Sequence, residues 1–512
     1  MSGREPELPS GASGARRLGL WIGPLLGLAL LFAPGLDPLQ SRAAAVTVLV
    51  AVWWLTEAVP IAAASLVPAV LLPALGVLPA DEAARTYMND LIFLFLGAFM
   101  LAMGVERWGV HRRVALSIVA TVGARPRRIV LGFMLASAGL SMWLNNTATT
   151  LMMLPIGVAV VQAVSGARES KRVDASDPFA LALLLGLAYS ASVGGVATPV
   201  GTAPNQVYLA RMAADHAELP TIGFAQWILA WGPLVVLFVP LGWLLATRVL
   251  LRVPDHGTAG GDVIAAERRA LGSLRLAEWR MGGIFALTAL LWVTRVDLPL
   301  GDLVVPGWLD VLGRSAPDGV EWGPKTVTNA TVAMGMALLC FLVPSGDTEG
   351  RRLLDWSAVR GLPWDVLLLL GGGFCIAKGF KVSGLDVLIG DQLGPSFSAL
   401  PGWAVVLVIV ASMSFLTEIT SNTATTQVLL PVLGSASIAA GLDPRLSMLP
   451  ATIAASCAFM LPVATPPNAV AFSSGLIRMG DMARIGFWFN TLLIVLIALL
   501  FQFWVRPFLG LG

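Results

Sequence analysis

The chain has 512 residues, of which 56% are hydrophobic and only 12% charged, with a formal net charge of +2. Average chains carry about 25% charged residues, so this composition excludes a soluble multidomain protein and predicts an all-α integral membrane protein. The charges fall in short loops, form no basic surface for nucleic acid, and leave the lipid bilayer as the expected surrounding.

In chain order, residues 1–17 read as a cytoplasmic tail, with 1–14 expected to be disordered. Arg16 and Arg17 precede the apolar run 18–36. No small-residue cleavage pattern follows it and more apolar runs do, so a first helix is expected and not a signal peptide. Runs long enough to contribute spans, which need about 20 residues, follow at 43–59, 61–78 and 91–105. The block 129–161 is split by Asn145-Asn146-Thr147, and the run 179–209 is broken at 201–204. After 228–251 come a basic loop and the runs 283–293, 332–343 and 364–376. The block 403–440 is split by Ser421-Asn422-Thr423, the run 446–474 is broken at 464–467, and 485–508 closes the chain. Cys340, Cys375 and Cys457 all sit in apolar runs and read as small buried hydrophobes, with no disulfide or metal spacing.

Loop charge orients the runs. Arg107, Arg112, Arg113, Arg125, Arg127 and Arg128 precede the first split block, Arg168, Lys171 and Arg172 follow it, and the loop 248–280 carries Arg252, Arg268, Arg269 and Arg275. These flanks read as cytoplasmic. The flanks of the second block, with Asp386, Asp391, Asp443 and Arg445, and the acidic loops 81–90 and 297–318 read as external. The expectation is a cytoplasmic N-terminus, about eleven crossings, two re-entrant hairpins entering from opposite faces, and an external C-terminus. Positions 127 and 391 then lie on opposite sides.

The two split blocks are copies. Ser141-Met-Trp-Leu-Asn145-Asn146-Thr147-Ala-Thr-Thr150 and Thr417-Glu418-Ile-Thr-Ser421-Asn422-Thr423-Ala-Thr-Thr426 share Asn-Thr-Ala-Thr-Thr at an offset of 417 − 141 = 276, and Pro155 matches Pro431. Each is followed by a break, Val200-Gly201-Thr202-Ala203-Pro204-Asn205 and Ala464-Thr465-Pro466-Pro467-Asn468. Upstream, Gly97 and Gly109 match Gly372 and Gly384 at an offset of 275. Equal order with opposite orientation makes an inverted repeat, and paired broken segments point to a secondary-transporter binding site.

A cation such as Na+ needs several oxygen ligands, which hydroxyls, carboxamides and unwound carbonyls supply. Ser141, Asn145 and Asn146 with the backbone near Gly201 can form one cage; Thr417, Thr420 and Asn422 with the backbone near Ala464 can form its mate. An anion can take hydrogen bonds from Asn146, Thr147, Asn422 and Thr423, with Thr202 and Thr465 reaching in from the breaks. No Arg or Lys lies in these motifs, so helix N-termini and co-bound cations would neutralise the anion. The plain alternative, polar residues that only bond neighbouring helices, accounts poorly for two matched copies.

Over nearly its whole length the chain resembles the divalent-anion:sodium symporter family. The resemblance rests on Trp53-Trp54-Leu-Thr-Glu57-Ala-Val-Pro60, Phe93-Leu-Phe-Leu-Gly97, the paired Asn-Thr motifs and the Thr-x-Pro-Asn breaks. It implies an elevator transporter, a homodimer, that carries dicarboxylate, tricarboxylate or sulfate with Na+, some members working by exchange. It also implies a first sodium site at Ser141, Asn145, Asn146 and Gly201, and a second at Thr417, Thr420, Asn422 and Ala464. The substrate site it implies is Asn146, Thr147, Thr202, Asn422, Thr423, Thr465 and Pro466. Scaffold helices would occupy 18–128 and 283–402, the moving parts 129–251 and 403–512, and a cytoplasmic loop 252–282. One departure stands out: Asn145 replaces the family's Ser before Asn-Thr. The expected substrate is a C4-dicarboxylate such as succinate, malate or fumarate, in a plasma or inner membrane.

Glu57 reads as an interfacial anchor or helix cap in preference to an ion-handling group, and Glu418 as a structural hydrogen-bonding group in preference to one that pairs or titrates. An intramembrane enzyme would need a nucleophile–base pair, a carboxylate pair or metal ligands within the spans. His111, His216 and His256 fall in loops, and no such pair stands out. A channel is the nearer rival, against which inverted hairpins argue.

Overall fold

Backbone groups in lipid must bond within their own segment, and helices do this. The computed structural model describes residues 10–165, 177–300, 303–313, 323, 326–347 and 350–511, and it is built mainly of helices. Most of the expected tail and the basic residues Arg168, Lys171 and Arg172 lie outside the described residues. Among those described, eight helices are long and apolar enough to cross a membrane: Pro38–Thr56, Ala80–Arg107, Asn146–Val164, Pro178–Ala197, Phe224–Leu250, Leu276–Val293, Trp364–Ser383 and Met479–Phe508. Shorter apolar helices, Ile61–Ala74 and Asn329–Leu342, supplement them. About eleven crossings were expected; the difference lies in helices outside these eight, among them Ser10–Leu31, over most of the expected first run 18–36, and the bent pair Leu385–Ser398 with Gly402–Leu416.

The remaining expectations meet the structure locally. The run 61–78 folds as Ile61–Ala64 and Val67–Ala74, interrupted where Ser65 Oγ accepts from Trp54 Nε1 at 3.0 Å. Glu57 caps Pro38–Thr56 in the left-handed region (φ 48) and pairs with Arg16 at 2.9 Å. The first half of the acidic stretch 81–90 is not a loop but part of the short helix Ala80–Arg85, and a turn at 86–89 leads to Asp90–Arg107. The stretch 252–282 likewise holds a helix, Ala259–Ala270, which packs on Asn146–Val164. All three cysteines are buried and free.

The repeat is visible in the packing. Asp90–Arg107 packs on Asn329–Leu342, while Trp364–Ser383 packs on Pro38–Thr56, Ile61–Ala64 and Val67–Ala74. Gly97 meets the Ala333 backbone and Gly372 the Ser65 backbone so closely that a Cβ would lie 2.7 Å and 2.5 Å from them. From each of these helices the chain turns into an arm, Val110–Val122 or Leu385–Ser398. The turn residues are Gly109 (φ 72, ψ 14) and Gly384 (φ 69, ψ 15), a left-handed pair that glycine adopts freely. The second arm meets Gly402–Leu416 at a bend of 116°.

Each split block is a helix pair: Pro126–Ser141 with Asn146–Val164, and Gly402–Leu416 with Asn422–Ala439. Each broken run has a long first half, Pro178–Gly194 or Arg445–Ala455, and a second half, Ala203–Asp215 or Pro466–Phe472. Every residue from 179 to 194 and from 447 to 455 is buried. The second halves cross over: Ala203–Asp215 packs on Asn422–Ala439 and Arg445–Ala455, and Pro466–Phe472 packs on Asn146–Val164 and Pro178–Gly194. One hairpin is thus completed by the other repeat's broken helix.

Facing is directly testable. Arg127 donates to the Val253 carbonyl, but its neighbour Arg128 and the distant Asp391 are both exposed. Single cysteines at Arg128 and Asp391, in a background free of native cysteines, are expected to react with an impermeant maleimide from opposite sides of sealed vesicles. Labelling of both from one side removes the inverted orientation.

Candidate functional site

The hairpin tips are short turns closed by helix caps. Asn145 is exposed and caps Asn146–Val164, its Oδ1 accepting from Thr147 N at 2.8 Å. At the matched position Ser421 caps Asn422–Ala439, its Oγ accepting from Ala424 N at 3.5 Å. Asn and Ser are comparable N-caps, so the departure at Asn145 exchanges one cap for another. Asn145→Ser is therefore expected to fold normally, to retain uptake within about twofold, since swaps among good caps cost only a few tenths of a kcal/mol, and to shift the sodium activation curve. An unchanged curve would leave Asn145 a cap alone.

Behind the first tip, the chain brings oxygens together. Ser141 is buried, and its Oγ lies 2.5 Å from the Asn146 carboxamide. With Oδ1 turned inward, the amide faces Ser141 Oγ and the carbonyls of Ala191 and Gly201; turned over, Nδ2 donates to the same three, to the carbonyls at 3.3 Å. One orientation makes an all-oxygen cluster that suits a hard cation; the other satisfies the carbonyls internally. Glycine is required on both sides of the gap. A Cβ at Gly195 would lie 2.7 Å from Asn146 Oδ1, and one at Gly201 would lie 2.5 Å from the Gly195 carbonyl and 2.9 Å from that of Met142.

At the second tip, Thr417 is buried and donates to Met413 and Ser414 carbonyls, while Thr420 Oγ1 donates to Leu416 O and lies 2.7 Å from Thr425 Oγ1. Asn422 Oδ1 is buried with no hydrogen-bond partner among the described residues. An uncompensated buried acceptor costs about 1–3 kcal/mol, which a donor or a cation at Asn422 would relieve. Ala464 is buried, its N–H donating to Leu461 O. Thr202 Oγ1 lies 3.5 Å from Ser456 Oγ across the two breaks, and Thr465 caps Pro466–Phe472 through Asn468 N. Thr147 and Thr423 are half-buried beside the tips, and Pro466 is exposed.

The structure adds residues that sequence reasoning left out. Asn205 Nδ2 donates to the carbonyls of Gly195, Val196 and Thr198; Asn468 Nδ2 donates to those of Ala458 and Leu461. These asparagines brace the unwound stretches in matched fashion, and their place in both Thr-x-Pro-Asn breaks was the available signal. Ser456 gave none, because the second helix ends at Ala455, well before the proline break. Arg211 is 1% exposed on the helix after the first break, with Nη2 donating to Gln427 O at 3.1 Å.

Two hairpins, two broken helices and a polar gap between them, arranged as an inverted repeat within apolar helices, define a multi-pass membrane transporter. The same arrangement of helices occurs at 14–16% identity in two solved structures. They are the Neisseria gonorrhoeae MtrF, titled among antimetabolite efflux pumps (TM-score 0.58, covering 95% of this chain and 98% of that one), and the Alcanivorax borkumensis YdaH transporter (TM-score 0.51, 84% and 90%). The chain belongs to the family described as the sodium:sulfate symporter transmembrane region, which matches it over residues 18–511. Among its relatives are proteins named sodium-dependent dicarboxylate transporter SdcS. The one from Staphylococcus saprophyticus is 39% identical over 502 residues, covering 96% of this chain and 92% of that protein, and the one from Staphylococcus aureus strain USA300 is 39% identical over 504 residues, covering 97% and 92%.

Proposed function

We propose that this protein is a Na+-coupled symporter of a small divalent anion, a C4-dicarboxylate such as succinate, malate or fumarate. The observation that carries the reading is the convergence of Ser141 Oγ, the Asn146 carboxamide and the Ala191 and Gly201 carbonyls at one tip, set against the unpartnered Asn422 Oδ1 of the opposite tip. The names of the SdcS relatives support both the ion and the substrate class. One Na+ would bind among Ser141, Asn145, Asn146 and Gly201, a second among Thr417, Thr420, Asn422 and Ala464. The dicarboxylate would lie between the tips, on Asn146, Thr147, Thr202, Asn422, Thr423, Thr465 and Pro466.

Coupling follows from the chemistry of empty sites. With a cation present, Asn146 keeps its oxygen inward and its Nδ2 becomes free to donate to a carboxylate. Without one, the amide rotates and offers oxygen where the anion needs a donor. Cation and anion therefore stabilise one another through a single side chain.

For the larger motion, the hairpins and broken helices (129–251 and 403–512) would shift as a body against a scaffold of 18–128 and 283–402, in a homodimer with cytoplasmic N-termini and external C-termini. Radiolabelled succinate uptake into proteoliposomes under a Na+ gradient is the expected result, with little uptake under K+. The family's description keeps sulfate as the second arm of the test. Sulfate uptake in place of succinate replaces the substrate, sodium-independent counterflow replaces symport by exchange, and no uptake of any anion rejects the reading.

A further inference from the structure

Among the positions at which the two hairpin tips depart from symmetry, one places a carboxylate in the second tip alone. At the repeat offset, Glu418 stands where the first tip has Met142. Glu418 is 4% exposed, and its carboxylate is surrounded by donors. Oε1 accepts from Phe459 N at 2.7 Å, Met460 N at 3.0 Å and Asn490 Nδ2 at 2.6 Å; Oε2 accepts from Met460 N at 3.0 Å and Leu461 N at 3.1 Å.

In the first half the corresponding backbone, 196–198 at the offset 468 − 205 = 263, mostly closes its own 3-10 turn over Gly195–Ala197. Met142 contributes only its backbone carbonyl, which accepts from Thr198 Oγ1. The second break has no such turn. It runs from Ser456 to Thr465, and its N–H groups at 459–461 point to Glu418, while Asn468 draws the carbonyls of Ala458 and Leu461. The unwound strand is clamped between a carboxylate from the hairpin and a carboxamide from the following helix. It ends at Ala464 and Thr465, and Glu418 itself directly follows Thr417 and stands two positions before Thr420.

We propose that Glu418 is a positioning residue for the second Na+ site. It fixes the strand 459–461 so that the Ala464 carbonyl meets the tip bearing Thr417, Thr420 and Asn422, and it places beside that site a negative charge that the first site lacks. The two sodium sites are therefore unequal, and the second is the tighter. A carboxylate suits this place because every lone pair faces an N–H; an amide would turn a donor toward donors. The inference rests on the sodium-coupled reading above.

The test uses the full-length protein. Its melting temperature is measured against NaCl with choline chloride as control, and its succinate uptake is measured against Na+. Sodium-specific stabilisation of the unsubstituted protein checks the reading; its absence rejects the reading and this inference with it. Given that stabilisation, Glu418→Gln is expected to raise the sodium half-saturation at least about tenfold, while the succinate KM at saturating Na+ stays within about twofold, because the clamp acts on the cation ligands first. Asn490→Ala removes one donor and keeps the carboxylate, and a smaller shift in the same direction is expected. An unchanged sodium titration in a folded Glu418→Gln protein overturns the proposal. If that variant does not fold, Asn490→Ala decides: a shifted sodium curve supports the role, and an unchanged one reduces Glu418 to a brace.

Discussion

Asn146→Ala and Asn422→Ala are each expected to lower sodium-driven succinate uptake by about a hundredfold or more, while insertion and melting remain close to normal. Each asparagine is assigned two partners, a cation through its oxygen and the anion through its nitrogen. Losing hydrogen bonds to charged groups costs about 1.5–3 kcal/mol apiece, and each 1.4 kcal/mol is tenfold. The folded state loses far less. Asn422 Oδ1 has no partner to lose among the described residues, and Asn146 gives up contacts to Ser141 and, in one amide orientation, to Ala191 and Gly201. Near-normal uptake in both variants would reject the site. Loss in only one would break the symmetry on which the assignment rests.

A disulfide between Gly373→Cys and Gln427→Cys is expected to reduce transport to background while substrate still binds, and reductant should restore it. Gly373 lies on Trp364–Ser383 of the proposed scaffold, and Gln427 on the second hairpin. A Cβ built at Gly373 would lie 2.9 Å from Gln427 Cγ, so the Cβ of residue 427 is at most one bond farther. That falls within reach of the about 3.5–4.5 Å that a disulfide requires between Cβ atoms. Gln427 also donates to the Leu369 carbonyl at 3.1 Å, and Lys381 Nζ donates to Ala214 O at 2.9 Å, so hairpin and broken helix both lean on this helix. Cys340, Cys375 and Cys457 must first be replaced. If the hairpin travels along that helix, the bond arrests it. Normal transport by the crosslinked protein would mean that the site stays in place and only local gates open.

Much of this was legible in the sequence because it was written twice. The Asn-Thr-Ala-Thr-Thr copies located both tips, and Gly109 with Gly384 extended the match upstream, although that they are turns into arms was not legible there. The family was legible from the same motifs. What stayed hidden depends on which way a side chain faces across long separations. Glu418 reads as one acidic residue in an apolar block, and its partners lie 41 to 72 positions downstream. The second break was placed at its prolines, whereas the helix already ends at Ala455, because captured N–H groups are invisible to composition. The number of crossings was blurred for a related reason: paired short helices share the burial that one long apolar run would advertise.

The helices leading into the breaks are enclosed by protein from 179 to 194 and from 447 to 455. A helix that touches lipid must match the hydrocarbon thickness, and each ångström of mismatch costs a fraction of a kcal/mol. These two are exempt from that matching. A thinner or thicker bilayer therefore strains the outer helices, such as Leu276–Val293 with its exposed Leu287 and Leu290. Its direct strain falls on those outer helices and spares the segments 179–194 and 447–455 that lead into the breaks.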